Sequence, residues 1–232
     1  MPNDTPLAVL TGSSSGIGLA IGRALLEAGW TVAGLDLAPP VLSHPRFQSV
    51  RVDLSDAAAT DAAAASLTGA AALVHAAGVL RVGPLGRLQA DDAALMWRLH
   101  VGAAERLANA LMPAMAEAGR GRVVLVGSRV AQGKAGRSQY AATKAALTGL
   151  ARSWAAEVVA RGVTVNVVSP AATQTAMTDD PARQAAPPVL PPIGRLIQPD
   201  EIAALVLFLL SPAAAAITGQ DIAICGGASL PR

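Results

Sequence analysis

The stretch Leu7-Ala-Val-Leu10, followed at once by Thr11-Gly-Ser-Ser-Ser-Gly-Ile-Gly18, decides the reading of this 232-residue chain. Four apolar residues suit a short buried strand, and residues 16–28 read as the helix that follows it. Gly12 can make a sharp turn between the two. Gly16 and Gly18 let backbone approach a ligand and let the helix pack closely on the strand. The helix N-terminus then offers free N–H groups and a partial positive charge to a pyrophosphate. Ser14, Ser15 and Ile17 share that turn and count with the three glycines as candidate contacts. The spacing is not GxGxxG, and an ordinary Gly/Ser-rich connection is the plain alternative.

Working outward, apolar runs recur at residues 31–35, 47–52, 71–74, 122–126, 163–168 and 221–224. Ala-rich segments long enough to be helices lie between them. Such alternation predicts a parallel sheet covered on both faces. Right-handed crossovers then wind the chain into an α/β, Rossmann-type, doubly wound fold with seven parallel strands. No repeat or linker divides residues 1–232, so a single domain is expected. The Pro-rich residues from Pro181 to Pro192 read as an irregular surface loop, able to cover a site.

Composition excludes several classes. Hydrophobic residues make up 52% and charged residues 15%, which supports a large core rather than disorder. A net charge of +2, few aromatics and no long Lys/Arg run argue against a nucleic-acid partner. The lone Cys225 cannot form an intrachain disulfide and suits a reducing cytoplasm. Residues 1–6 lack the order of a signal peptide. The apolar run 202–210 is far short of the roughly 20 residues that span a bilayer. A soluble cytoplasmic protein without a membrane partner is the expectation.

Two acidic residues end predicted strands. Asp36 lies 18 residues after Gly18. A carboxylate there can accept both hydroxyls of an adenosine ribose and would repel a 2′-phosphate. No Arg or Lys stands within residues 34–40, so NAD is favoured over NADP. The alternative is that Asp36 caps a turn before Pro39-Pro40. Asp53 can bind the adenine edge or cap a helix starting near Ser55, and the two roles are compatible.

Tyr140-Ala-Ala-Thr-Lys144 falls on a helix predicted from Ser138 to Ala160. Residues at i and i+4 share a face, so phenol and ammonium lie side by side. A nearby cation favours the phenolate, lowering a Tyr pKa whose free value is about 10. Such a Tyr can give a proton to a forming alkoxide or take one from an alcohol. Tyr140 is the only tyrosine, and Lys144 is one of two lysines. An exposed helix pair is the bland reading of YxxxK alone.

Taken in order, these features resemble the short-chain dehydrogenase/reductase family over nearly the whole chain. The likeness runs through the Thr11–Gly18 turn, Asp36, Asp53-Leu54, Ala76-Ala77-Gly78 and YxxxK. It continues in Gly194-Arg-Leu, Pro199-Asp-Glu-Ile, Leu207-Phe-Leu-Leu, Ile217-Thr-Gly-Gln and Gly226-Gly227. The resemblance implies hydride transfer between a nicotinamide cofactor and a secondary alcohol or ketone. It implies that Ser128 hydrogen-bonds the substrate oxygen beside Tyr140. Ser128 precedes Tyr140 by 12 residues, one fewer than the family's habit; Gly127 holds the usual place and has no side chain to act. Lys144 would also bind the nicotinamide ribose, and Thr175 would hold the carboxamide. Pro170, Ala171 and Thr173 accompany it, and Asn166 fits the pattern after the sixth strand.

The chain also departs from the family. His100, in Trp97-Arg-Leu-His100-Val, replaces an Asn that helps hold a proton-relaying water. A His can relay protons too and would make rates pH-sensitive between about 5 and 8; the alternative is a packed helix His. His75 replaces the Asn before Ala76-Ala77-Gly78. Ala171 follows Pro170 where Gly is usual, which puts the local backbone in question. No third ligand accompanies the two histidines, so no metal site is expected.

One side of the 138–160 helix carries Tyr140, Lys144, Leu147, Ala151, Trp154 and Val158. The other carries Ala142, Ala145, Ala146, Gly149, Ser153 and Ala156, all small. A face of this kind permits close helix contact, so a homo-oligomer, dimer or tetramer, is expected through it. The substrate pocket is expected from residues 80–85, 129–132 and a loop at about 171–195. Two alternatives stand beside the enzyme reading. One is a catalytically weak dinucleotide-binding regulatory or scaffold protein, and the other is an NADP-linked ketoreductase.

Overall fold

The computed structural model describes residues 5–179 and 189–230. Its strands are β1 (Leu7–Thr11), β2 (Thr31–Asp36), β3 (Phe47–Arg51), β4 (Ala70–His75), β5 (Gly121–Val126), β6 (Val163–Pro170) and β7 (Asp221–Ile224). Its helices are α1 (Gly16–Glu27), α2 (Ala57–Ala65), α3 (Ala90–Trp97), α4 (Ala103–Glu117), α5 (Ser138–Val158), α6 (Ala176–Asp179) and α7 (Pro199–Leu210). All seven strands are parallel, in the order β3-β2-β1-β4-β5-β6-β7. The expected doubly wound fold is therefore present. The chain reverses its direction of growth between β1 and β4. That switch opens a crevice at the carboxyl ends of the two strands, where ligands of such sheets bind.

Two apolar layers cover the sheet. On one face α1 and α7 pack through Ile21, Leu25, Ile202 and Val206 against Ala8, Leu10 and Val32. On the other, α2, α4 and α5 pack through Leu107, Met115, Leu147 and Ala151 against Val9, Leu73 and Val165. Leu10, Ile21, Leu107 and Leu147 are completely buried. Each such side chain contributes about 1.5–3 kcal/mol relative to leaving it exposed. All eight residues of β6 are buried. Its one amide is satisfied sideways: Asn166 Nδ2 donates to Ile217 O at 2.7 Å, and Gln220 N–H donates to Asn166 Oδ1 at 3.1 Å. Asn166 thus lies within β6 rather than after it, and it ties the strand to the approach to β7.

The structure moves several boundaries. β1, β2 and β4 each run one residue beyond their apolar stretches, to Thr11, Asp36 and His75. β6 extends to Pro170. The long helix before β5 is interrupted: α3 passes through a π-helical turn, Arg98–Gly102, into α4. A π turn inserts one extra residue into the helical path, and such turns frequently occur at functional sites. The loop expected at 171–195 contains the helical turn α6. Its residues 180–188, including Pro181, lie outside the described residues.

Candidate active site

The glycine turn is built as its spacing requires. Gly12 has φ 72°, and a Cβ there would lie 2.9 Å from the Ala77 backbone. A Cβ on Gly18 would lie 2.0 Å from Gly12 O, so α1 can begin against the turn only without one. Ser15, the N-cap of α1, makes no side-chain cap bond, and no acidic residue occupies the first turn. The first amides of α1 therefore remain available to an anion.

Thr11 fixes the opposite wall. Its Oγ1 accepts the Ala76 and Ala77 N–H groups, each at 3.0 Å. With both lone pairs used, its hydroxyl proton goes to His75 Nδ1 at 3.0 Å. A cavity of about 400 Å³ results, lined by Gly12, Ser15, Gly16, Ile17, Gly18, Asp36, Asp53, Leu54, Ala76, Ala77, Gly78 and Thr175. Ser14 lines neither this cavity nor the one beside it. Its N–H donates to Asp36 Oδ2 at 2.9 Å and its hydroxyl to Ala38 O at 3.4 Å.

Asp36 closes one end of this first cavity. Each carboxylate oxygen takes one backbone N–H, from Ser14 and from Ala38, at 2.9 Å. A carboxylate has about four acceptor positions, so capacity for hydroxyl donors remains. The β2–β3 register sets Arg51 beside Asp36, and its Nε donates to Leu37 O at 3.2 Å. That guanidinium is distant in sequence and escapes a search confined to residues 34–40. Asp53 Oδ1 receives the Ser55 N–H and hydroxyl at 2.8 and 2.7 Å. The helix cap expected of Asp53 belongs to Asp56, whose side chain accepts from Ala59 N–H at the start of α2.

A second cavity, of about 380 Å³, adjoins the first and shares Ile17, Thr175 and Met177 with it. Ser128, Tyr140, Pro170, Ala171 and Thr173 line it. Ser128 faces the space, whereas a Cβ on Gly127 would strike Val167 at 2.6 Å. Ala171 donates its N–H to Ile224 O at 3.2 Å, and no non-glycine residue among those described has positive φ. The question over the backbone at Ala171 is thus answered: the chain continues in ordinary geometry and tolerates the methyl. Thr173 Oγ1 donates to Ala171 O at 3.0 Å. Thr175 sits above Gly16, where a Cβ would meet its methyl at 3.2 Å. Of the apolar segment expected in the pocket, Leu80 lines it, but Leu85 is 86% exposed.

Tyr140 and Lys144 lie on adjacent turns of α5, with Nζ 5.9 Å from the phenol ring centroid. Lys144 is buried and donates to Val126 O at 2.8 Å. Burial disfavours its charged form and lowers its pKa from 10.5 to about 8. Gly78 lets the His100 ring approach beside Lys144. A Cβ there would lie 3.1 Å from His100 Nε2 and 3.5 Å from Lys144 Nζ.

The π turn presses His100 inward, where it is completely buried. Its Nε2 accepts the Val79 N–H at 3.0 Å. Its Nδ1 lies 2.9 Å from Thr143 Oγ1, whose proton goes to Tyr140 O at 2.9 Å. Nδ1 therefore carries the hydrogen. The ring meets Tyr140 edge-on, with centroids 5.6 Å apart. Burial, then the nearby Lys144 and His75, hold the His100 pKa well below 6.5. That direction disfavours the charged ring and so argues against the pH sensitivity expected from His100 between 5 and 8. His75 carries the opposite tautomer, with hydrogen on Nε2, buried beside the Leu99 and His100 backbone. Burial and then Lys144 lower its pKa to about 3.

Sequence reasoning missed the hydrogen-bonding parts of Thr11 and Thr143, the place of Arg51 beside Asp36, and Lys134 and Arg137 in the lining of the second cavity. Thr143, three residues after Tyr140 on the same helix, was the one legible from spacing.

A glycine turn at the switch point of a doubly wound parallel sheet defines a dinucleotide-binding α/β protein. The comparisons narrow this. A family model described as enoyl-(acyl carrier protein) reductase matches residues 12–229. The 3-oxoacyl-(acyl-carrier-protein) reductase of Vibrio harveyi is 35% identical, covering 95% of this chain and 96% of that protein. The 2,3-dihydro-2,3-dihydroxybenzoate dehydrogenase of Escherichia coli is 36% identical over the same shares. A 3-oxoacyl (acyl-carrier-protein) reductase from Agrobacterium tumefaciens, solved with NADP bound, superposes with a TM-score of 0.86 at 28% identity. It covers 96% of this chain and 93% of its own. The chain belongs to the short-chain dehydrogenase/reductase family, whose members are oxidoreductases that bind a nicotinamide cofactor. No helix among the described residues is long and apolar enough to cross a membrane.

Proposed function

We propose that this protein is an NAD-dependent oxidoreductase interconverting a secondary alcohol and a ketone, with Tyr140 as general acid and base. The observation that carries the reading is the junction of the two cavities, where Ser128 and Tyr140 face one space and Lys144 stands behind the phenol. Bound across the glycine turn, the nicotinamide cofactor would accept or supply the hydride. Ser128 and Tyr140 would bracket the substrate oxygen. In oxidation Tyr140 takes the hydroxyl proton, and in reduction it returns one. Lys144 favours the phenolate electrostatically, and Gly12, Gly16 and Gly18 admit the pyrophosphate to the α1 amides. His100 acts through Tyr140, gripping the backbone of its turn by way of Thr143. Tyr140→Phe should lower turnover by about 10²–10⁴-fold, the usual weight of acid–base catalysis, with reduced-cofactor affinity nearly intact. Unchanged turnover in Tyr140→Phe contradicts the assignment and leaves a dinucleotide-binding scaffold.

NAD is favoured because the Asp36 carboxylate faces the adenosine end of the cavity and would repel a 2′-phosphate. A second reading, NADP, draws on Arg51 beside Asp36 and on two solved relatives described with NADP or NADPH bound. Titrating the protein with NADH and NADPH discriminates: tighter NADPH binding reverses the preference. Assembly is proposed through the outer face of α5, where Ala142, Ala145, Gly149, Ser153 and Ala156 are exposed. A sedimenting monomer at micromolar concentration contradicts it. A cytoplasmic setting, with a small-molecule substrate, accompanies this reading.

A further inference from the structure

Residues 76–79 line the first cavity in unbroken succession, and a buried histidine holds each end of the run. At the far end Val79 N–H donates to His100 Nε2 at 3.0 Å. At the near end stands His75, which has no part in the proposed mechanism. Its ring is completely buried. Nδ1 accepts the Thr11 hydroxyl at 3.0 Å, the same hydroxyl that grips the Ala76 and Ala77 amides.

The other ring nitrogen is the informative one. With Nδ1 an acceptor, Nε2 carries the hydrogen. It closes no hydrogen bond of ordinary length and angle, yet it lies against the backbone of Leu99 and His100. Both residues belong to the π turn Arg98–Gly102. A buried N–H held so loosely costs free energy, and such a group in a native fold calls for a reason. An aliphatic side chain would fill the space without that cost. The imidazole instead joins two parts of the fold: Thr11 at the end of β1, and the π turn that presses His100 inward. From there His100 Nδ1–H reaches Thr143, and the Thr143 hydroxyl reaches Tyr140 O.

We propose that His75 is a positioning residue with two separable duties. Through Nδ1 it sets Thr11 and the floor of the dinucleotide crevice. Through Nε2–H it sets the π turn and, by way of His100 and Thr143, the turn of α5 that carries Tyr140. This rests on the proposed function, in which Tyr140 is the acid and base. Shorter or longer amides can serve one duty each. The amide of Asn reaches about as far as Nδ1 and stops short of Nε2. The amide of Gln reaches Nε2 and leaves no acceptor at Nδ1.

Tyr140 is the only tyrosine, so phenolate absorbance in the near ultraviolet reports its ionisation alone. His75→Asn should raise the pH at which the phenolate forms, toward the free value of about 10, because Tyr140 loosens from Lys144. Its NADH affinity, by fluorescence, should stay close to that of the unaltered protein. His75→Gln should do the reverse: the phenol titration holds, and NADH affinity falls by up to about 10-fold, the weight of one neutral hydrogen bond. Circular dichroism over the same pH range confines both readings to folded protein. Variants that shift both readouts together, or neither, overturn the assignment and leave the ring as core packing. If either variant does not fold, heteronuclear NMR of the three histidine rings of the unaltered protein decides. A hydrogen on His75 Nε2 and another on His100 Nδ1 are expected, and a hydrogen on His75 Nδ1 overturns the assignment. None of these measurements needs a substrate, so turnover surviving in Tyr140→Phe strikes the underlying function alone.

Discussion

The Asp36 end of the crevice and its Tyr140 end are built in opposite ways. At Asp36 the polar groups are wet and tied by backbone: two amides grip the carboxylate, and Arg51 leans on Leu37 from the next strand. At Tyr140 the polar groups behind the phenol are dry. Lys144, His75 and His100 are all buried, and burial depresses the pKa of each. The difference teaches how one sheet makes two kinds of site. Strand ends that stop at solvent keep a charge accessible to water. Strand ends covered by α5 and the π turn instead hold titratable groups away from water, where burial disfavours their charged forms.

The sharpest way to break this contrast is to disturb the turn both ends share. Gly18→Ala sets a methyl 2.0 Å from a backbone oxygen that cannot rotate away. Cofactor affinity should fall by at least about 100-fold, measured by NADH fluorescence, while Gly29→Ala, in open space at α1's far end but strained by its φ of 90°, should cost some stability and leave affinity unchanged. The dry end alone is probed by His100→Phe. It leaves the part-buried Val79 N–H without its acceptor and the buried Thr143 hydroxyl without its donor, at a cost of up to about 1–3 kcal/mol each. The thermal midpoint should drop by several degrees and KM for substrate should rise, with NADH affinity changed less; an unaltered midpoint would mean that the two hydrogen bonds do not hold this corner.

The smallest effect concerns pH. Lys144 titrates near 8 when folded and 10.5 when unfolded. Between those values the unfolded chain binds more protons, so its contribution makes stability rise with pH from 8 to 10.5. His75 does the same lower down: its share is intact above pH 6.5 and is lost as pH falls toward 3. Lys144→Met should flatten the upper slope, by at most about 1.4 kcal/mol per pH unit, and leave the lower one. Parallel curves for the two proteins, from urea midpoints across pH 7.5–10.5, would mean that Lys144 is not desolvated as described.

Much of the fold was readable because parallel strands buried on both faces spell themselves in apolar runs. The same cue stops short at the residues of interest. Thr11, Asp36 and His75 are polar, so apolar counting ends each strand one residue early, where the site begins. Spacing along one helix gave Tyr140 and Lys144, and the glycine turn gave the cradle. Register across strands gave nothing beforehand, which is why Arg51 was invisible beside Asp36. The tautomers of His75 and His100 were equally hidden. They follow from which partners donate, and those partners come from residues as distant as Thr11, Val79 and Thr143.

The three bonds at Thr11 carry a consequence for motion. Loop amides ordinarily exchange with solvent deuterium quickly, yet the Ala76 and Ala77 amides are clasped by a hydroxyl at the end of the neighbouring strand. They should exchange on the slow timescale of the central sheet, before any nucleotide is added. The floor of the crevice is then rigid in advance, and a dinucleotide landing on it need not first freeze that segment of chain.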